Sequence, residues 1–468
     1  MRSHLLRLVC SSLVVAGFAA CGEDEEKEPP CDAVADTGCA PGLTCEWATD
    51  GSTLCAAPVV LRGQVVDLAD ESPVEGARVV ALDVNGAPLA TVAVTDEDGN
   101  YEMPVPHERQ RDGSPVGVAL TLRVDASGFQ TFPSGIRQAL PIDTTAAADD
   151  EGKLVVESAL TEVGLIELPD AVGLGSLSGT VSLPERRPGV LVVAERNGVG
   201  VSGIADRDGS YRIFNLPAAD YEVTGYTRGV SFEARTATVA EGADTVLDLA
   251  RSEAATARLS GKVSIVNPGD GNATSIILVL ESLFDEATLR GESPPGLRAP
   301  NPGLAPDVTG AFSIDGIPAG RYVVLAGFEN DRLVRDPDTS IGGTAIVRQE
   351  LGAGADVALP ESFKITGALA FLPPLGFEPV GVTAAPTISW EDDSSEDAYE
   401  VRVFDALGDE VWTHTEPGHS GSTPAVTYGG PLDPGMYYQV KVRSLKDDRG
   451  TMVPISQTED LAGVFFAE

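Results

Sequence analysis

Leu177-Ser178-Gly179-Thr180-Val181, followed later by Asp208-Gly209-Ser210-Tyr211, decides how this chain is built. Leu177 and Val181 point to one side of a strand with the glycine between them, the period-two pattern of a half-buried strand. Glycine inside a strand marks a bulge or a close backbone approach. The Asp-Gly pair supplies a residue that tolerates φ > 0, as a tight turn between antiparallel strands requires. Tyr211 then anchors the returning strand in a core. The unit recurs on both sides. Leu61-Arg62-Gly63-Gln64-Val65 is answered by Asp98-Gly99-Asn100-Tyr101, and Leu259-Ser260-Gly261-Lys262-Val263 by Thr309-Gly310-Ala311-Phe312. The later copies share an echo, Leu216-Pro217-Ala218-Ala219-Asp220-Tyr221 and Ile317-Pro318-Ala319-Gly320-Arg321-Tyr322. Internal repetition sets architecture. Short strands, frequent turns and no helical period predict an all-β fold of tandem β-sandwiches.

At these residues the chain resembles the carboxypeptidase regulatory-like domain, a transthyretin-like sandwich also grouped with carbohydrate-binding-like folds. The first copy carries further matches at Pro73-Val74-Glu75-Gly76-Ala77-Arg78-Val79, at the turn over 95–101, and at Val163-Gly164-Leu165-Ile166-Glu167-Leu168. The second copy lacks the Pro-x-x-Gly-Ala step, and the third has Thr309 in place of Asp. The resemblance implies fold and little about function, because such sandwiches serve as spacers, adhesive modules and enzyme appendages.

A chain of 468 residues is too long for one sandwich. The reading assigns a signal segment at 1–20, an acidic tether at 21–30 and a Cys-rich segment at 31–57. Sandwiches follow at 58–169, 175–252 and 257–360, then a linker at 363–379 and a last sandwich at 380–468. Thr144 to Lys153 is expected to be a loop, and the Pro-rich insertion at 281–307 opens with residues that suit two helical turns. Within the last domain, Pro386-Thr387-Ile388-Ser389-Trp390 and Ala398-Tyr399-Glu400-Val401-Arg402-Val403 resemble strands B and C of a fibronectin type III domain. Leu432-Asp433-Pro434-Gly435-Met436-Tyr437-Tyr438 resembles its approach to strand F. That resemblance puts Trp390 in the core and Tyr438 at a tyrosine corner. A Pro-broken linker ahead of it predicts a domain that can be removed without unfolding the rest.

Arg2, His4 and Arg7 precede an apolar run from Leu8 to Ala20, too short for a confident membrane span. Phe18-Ala19-Ala20-Cys21 resembles the lipobox of bacterial lipoproteins, which implies a lipid-modified Cys21 and a membrane partner reached through that anchor. Gly17-Phe18-Ala19 also reads as an ordinary small-x-small cleavage site. Cysteine parity favours lipid. Cys31, Cys39, Cys45 and Cys55 can all be used in two disulfides, which leaves Cys21 over, and a secreted chain rarely keeps an odd thiol. The Cys31–Cys55 stretch is too short for a core of its own, so disulfides are expected to hold it, with three pairings open. A four-cysteine zinc site is the competing reading and lacks the paired close spacing of zinc knuckles. Gly22, where an inner-membrane lipoprotein carries Asp, favours the outer membrane of a Gram-negative bacterium.

The net charge of −39 repels phosphate backbones and argues against nucleic acid. The chain has no His-Glu-x-x-His helix, no Gly-x-Ser-x-Gly elbow and no phosphate-cradling Gly-Lys-Ser/Thr loop. No catalytic residue set, metal site or cofactor is assigned, and the chain is read as non-enzymatic. Asp96-x-Asp98-Gly99 and Asp206-x-Asp208-Gly209 are half of a calcium loop without its later ligands, and are read as turn chemistry. The preferred function is a stalk, adhesive or interaction scaffold that meets proteins or polysaccharides of the cell envelope. The alternative is carbohydrate binding by the sandwiches. That reading needs an exposed aromatic face. Trp412 is the candidate contact, with Trp390 read as core and Trp47 set among the disulfides.

Overall fold

The computed structural model describes residues 31–468, apart from 34–35, 84–85, 90–91, 135–136, 184–188, 267–273, 286–290, 301–307, 309, 329–346, 361–362, 367, 394–395, 419–422 and 459–461. The signal segment, Cys21, the acidic tether, Thr309 and much of the 281–307 insertion lie outside the described residues. The described elements are β-strands with three short 3-10 turns, so the protein is all-β.

Each repeat is built on its Leu-x-Gly-x-Val strand. In the first, Val59–Asp67 pairs antiparallel with Asn100–Val105 and parallel with Lys153–Val156 and Val163–Leu165. In the second, Gly175–Thr180 lies between Ser210–Leu216 and Asp244–Val246. In the third, Ala257–Val266 lies between Ala311–Ile317 and the pair Asp356–Ala358 and Phe363–Thr366. A second sheet faces each one, centred on Arg78–Leu82 with Ala119–Asp125, on Val190–Arg196 with Ala219–Tyr226, and on Thr274–Leu280 with Gly320–Phe328.

The strand glycine faces an aromatic residue across the ladder in every copy, and a Cβ at Gly261 would meet the Phe312 ring. Gly63 is paired with Tyr101, Gly179 with Tyr211 and Gly261 with Phe312. The parallel ladder on the other side breaks at the glycine. Its partner swings over the gap, and a Cβ would overlap the Thr161 carbonyl at Gly63 and the Leu247 carbonyl at Gly179. The Tyr101 and Tyr211 hydroxyls donate to those carbonyls at 2.7 and 2.6 Å. The echo in the later copies has an equally local cause. The Tyr221 hydroxyl donates to the Pro217 carbonyl at 2.9 Å, and that of Tyr322 to Pro318 at 2.8 Å. The turn aspartates act on the backbone. Asp96 Oδ1 accepts from the Asp98 and Asn100 amides, and Asp206 Oδ1 from those of Asp208 and Ser210.

Two stretches differ from expectation. The expected loop at 144–153 holds a 3-10 turn, Thr144–Ala146, and a hairpin of Ala148–Asp150 with Lys153–Val156. Glu151 and Gly152 both have φ > 0, at 52° and 85°, as a two-residue hairpin turn of the right twist requires. The expected linker at 363–379 is bonded at both ends. Phe363–Thr366 completes the third sandwich. Leu369, Leu372 and Gly376 make backbone bonds to Gln457, Ser389 and Gly463 of the last domain.

The last domain has a six-stranded sheet built on Ala398–Asp405 and Tyr437–Asp448, faced by the pair Thr387–Ser389 and Ala425–Thr427. Trp390 is fully buried there with Tyr399, Tyr438, Val440 and Phe465. The Tyr438 hydroxyl accepts from the Asp433 amide at 2.9 Å.

The sandwiches are not strung in series. Several strands are apolar on both faces. In Val190–Arg196, Val190, Val192 and Ala194 face their own core, while Leu191 and Val193 join the core of the third sandwich, together with Val80 of the first. Phe404 and Ala406 of the last domain are buried in the core of the first. Fully burying such a side chain contributes roughly 1.5–3 kcal/mol, so these junctions are cores in their own right.

Candidate functional site

The Cys-rich segment is a knot of two disulfides, Cys31–Cys45 and Cys39–Cys55, around the hairpin of Thr44–Trp47 and Thr53–Ala56. The sulfurs of Cys31, Cys39 and Cys55 lie within 4.8 Å of one another, but all are in disulfides and none is a zinc thiolate.

The knot is docked on the first sandwich. Arg109 is 1% exposed and is ion-paired with Glu46 of the knot. Arg109 also donates to the Ala57 carbonyl at 2.7 Å, and Glu46 accepts from the His107 amide at 3.0 Å. The backbones of Trp47 and Thr49 bond to that of Arg109. Burial pushes the Glu46 carboxyl up, against the pull of Arg109. Burial also holds His107 below its ordinary value. Its Nδ1 lies 2.9 Å from the Val105 carbonyl, which makes that nitrogen the donor, and Nε2 is buried with no partner among the described residues.

On this docked knot Trp47, set among the disulfides, is 51% exposed. It lines a shallow cleft of about 540 Å³ with Cys31, Asp32, Ala33, Gly51, Ser52 and Thr53. Trp47 pairs with Thr53 at the turn end of the hairpin, while Glu46 and Cys45 before it are buried. At the rim Ser52 donates to Asp50 Oδ1 from its amide at 3.0 Å and from its hydroxyl at 2.6 Å, and Arg111 approaches Asp50 Oδ2 at 3.3 Å.

Trp412 is half-buried. Its ring stacks on His414, with centroids 5.7 Å apart, meets Tyr428 edge-on at 5.4 Å, and packs against the last domain's core. His107 lies under the knot and His414 on the strand Glu410–Pro417, and His419 lies outside the described residues. In the acidic loop of 391–397, Asp392 accepts from the Tyr399 hydroxyl, Asp393 from Ser444, and Asp397 from the Asp447 amide.

Two further charged groups sit at junctions that the sequence did not announce. Arg123 is 6% exposed. It bonds both oxygens of Asp125, pairs with Glu292 of the third sandwich, and donates to the hydroxyl of Ser202 of the second at 3.1 Å. Burial works against its charge, and the two carboxylates outweigh it, so its pKa rises. Arg137 donates to the carbonyl of Gly164 in its own sandwich at 2.8 Å and to that of Leu407 in the last domain. The available signal was the unbroken apolar run of strands such as Arg78–Leu82 and Val190–Arg196, which marks burial on both faces.

No family model matches the chain, and no curated protein matches it. Among solved structures it is similar to the Bacillus anthracis TIE protein, with 14% identity over 84% of this chain and 68% of that one, at a TM-score of 0.16. It is similar to shaft pilin SpaA from Lactobacillus rhamnosus GG, with 11% identity over 42% and 97% and a TM-score of 0.17. A DUF3823 family protein from Bacteroides uniformis aligns with 13% identity over 46% and 100%, with a TM-score of 0.22. Likenesses at these scores carry nothing about function.

Proposed function

We propose that this chain is a non-enzymatic scaffold of the cell envelope, held by lipid on Cys21 in the outer membrane of a Gram-negative bacterium. The observation that carries the reading is the buried Glu46–Arg109 pair. It fixes the knot that follows the tether onto the first sandwich, so pull or torque on an anchor at Cys21 is transmitted to a packed body. Breaking a buried pair costs about 3–5 kcal/mol, which suits a joint that must not open. The buried charges of Arg123 and Arg137 serve junctions in the same way. The carboxypeptidase regulatory-like and fibronectin-like resemblances fit a scaffold of this kind. Its partners are proteins or polysaccharides of the envelope, and it takes no cofactor.

Two or more acyl chains hold a protein durably where one does not. Expressed in a Gram-negative host, the wild type should sediment with outer membranes and take up labelled palmitate. Cys21→Ser should be soluble and unlabelled. A wild type that is soluble and begins at Ala20 would sink the anchoring claim.

A further inference from the structure

We propose that the cleft at Trp47 is a binding site for a neutral oligosaccharide of hexopyranose rings. The site needs no anchor at Cys21 and goes beyond the scaffold reading. A sugar ring offers a face of C–H groups and an edge of hydroxyls. It is bound by an exposed aromatic face with polar groups beside it, in a cleft of modest size. The Trp47 cleft has these parts. Its indole is 51% exposed, the cleft is about 540 Å³, and Asp32, Ser52, Thr53 and the Gly51 backbone line it.

The site is also rigid, which lowers the cost of binding. Trp47 sits in a hairpin tied by two disulfides, and its own carbonyl accepts from the Arg109 amide at 2.8 Å. The Thr53 hydroxyl is fixed on the Cys31 carbonyl at 2.7 Å. The charge around the cleft selects against acidic sugars. Asp32 lines it, and Asp50 stands at its rim with Arg111 3.3 Å from its Oδ2, so that rim cation is already matched by a carboxylate in a chain of net charge −39. Ser52 holds the Asp50 carboxyl below its ordinary range, so it stays charged in mild acid.

A protein partner would use Trp47 differently. Protein hot spots lie at the centre of well-packed patches of about 800 Å² per side. Among the described residues of the knot, the other large exposed apolar side chain is Leu43, and it does not line the cleft.

The test uses the purified full chain titrated with maltohexaose, cellohexaose, chitohexaose and the anionic oligogalacturonate, followed by calorimetry and tryptophan fluorescence. At least one neutral hexasaccharide should bind saturably, and oligogalacturonate should not. Trp47→Ala should weaken binding by at least about tenfold. Trp47→Phe should retain part of it, and Trp412→Ala should leave it unchanged. Circular dichroism and the count of free thiols should stay as in the wild type for each variant. Binding by none of the sugars would overturn the proposal. So would binding that survives Trp47→Ala, or an envelope protein whose capture depends on Trp47 without any sugar.

Discussion

Gly179 and Tyr211 face each other across one antiparallel ladder, and the tyrosine hydroxyl reaches over the glycine to donate to the Leu247 carbonyl at 2.6 Å. Gly63 and Tyr101 do the same with Thr161. The glycine is required because the third strand's carbonyl occupies the space of a side chain. The tyrosine satisfies that carbonyl, which has left its ladder.

Gly63→Ala should therefore be destabilising by about 1–3 kcal/mol or more, since backbone must move to admit the methyl group. Tyr101→Phe keeps the ring and strands a buried acceptor, at a cost of about 1–3 kcal/mol. Phe312 already lacks the hydroxyl, so Phe312→Leu should lose ring packing alone. Denaturant unfolding of each variant measures these differences, and an unchanged midpoint for Gly63→Ala would count against the close approach.

Docking of the knot should weaken in acid. The folded His107 pKa lies below its ordinary 6.5 because of burial. The unfolded state then binds more protons in the window below 6.5, so stability falls as pH drops through that window. Glu46 acts in the opposite direction. Its folded pKa lies above 4.5, so between 4.5 and that value the folded state holds more protons and gains stability as pH falls. Hydrogen exchange at 106–110 should speed up as pH falls from 6.5 toward 5, after correction for intrinsic rates. His107→Gln, which cannot charge, should flatten that dependence.

Arg123→Ala leaves Asp125 buried without its counter-charge and should cost about 3–5 kcal/mol. Glu292 has a side chain 34% exposed, so Glu292→Ala should cost less. The pair should couple by roughly 0.5–3 kcal/mol in a double-mutant cycle. Strict additivity would mean that the first and third sandwiches are not joined there.

Removing residues 380–468 should destabilise what remains. It takes Phe404 and Ala406 out of the first sandwich's core and the Leu407 carbonyl from Arg137. Calorimetry of the truncated protein should show a first-sandwich transition several degrees lower than in the whole chain. The Pro-broken stretch before the last domain suggests independence, and identical transitions would restore that view.

The all-β class, the threefold repeat, the turns and the two disulfides were legible in the sequence because each rests on short-range chemistry. Strand alternation, Asp-Gly turns and cysteine parity need no knowledge of distant residues. The cause of the strand glycine was half legible. A close approach was expected, but Thr161 and Leu247, which make it, are far along the chain. Tertiary structure alone decided how the units pack. Arg123 meets Glu292 across 169 residues, and Arg137 meets Leu407 across 270. In a strand such as Ala119–Asp125, alternation assigns Arg123 and Asp125 to the outer face. Period two tells the two faces apart and cannot say that the outer one is covered. The same limit applies to the tryptophans. Trp412 has ring partners supplied by Tyr428 and a neighbouring His414, while Trp47, set among cysteines, keeps an open face because the knot turns its buried side toward Arg109.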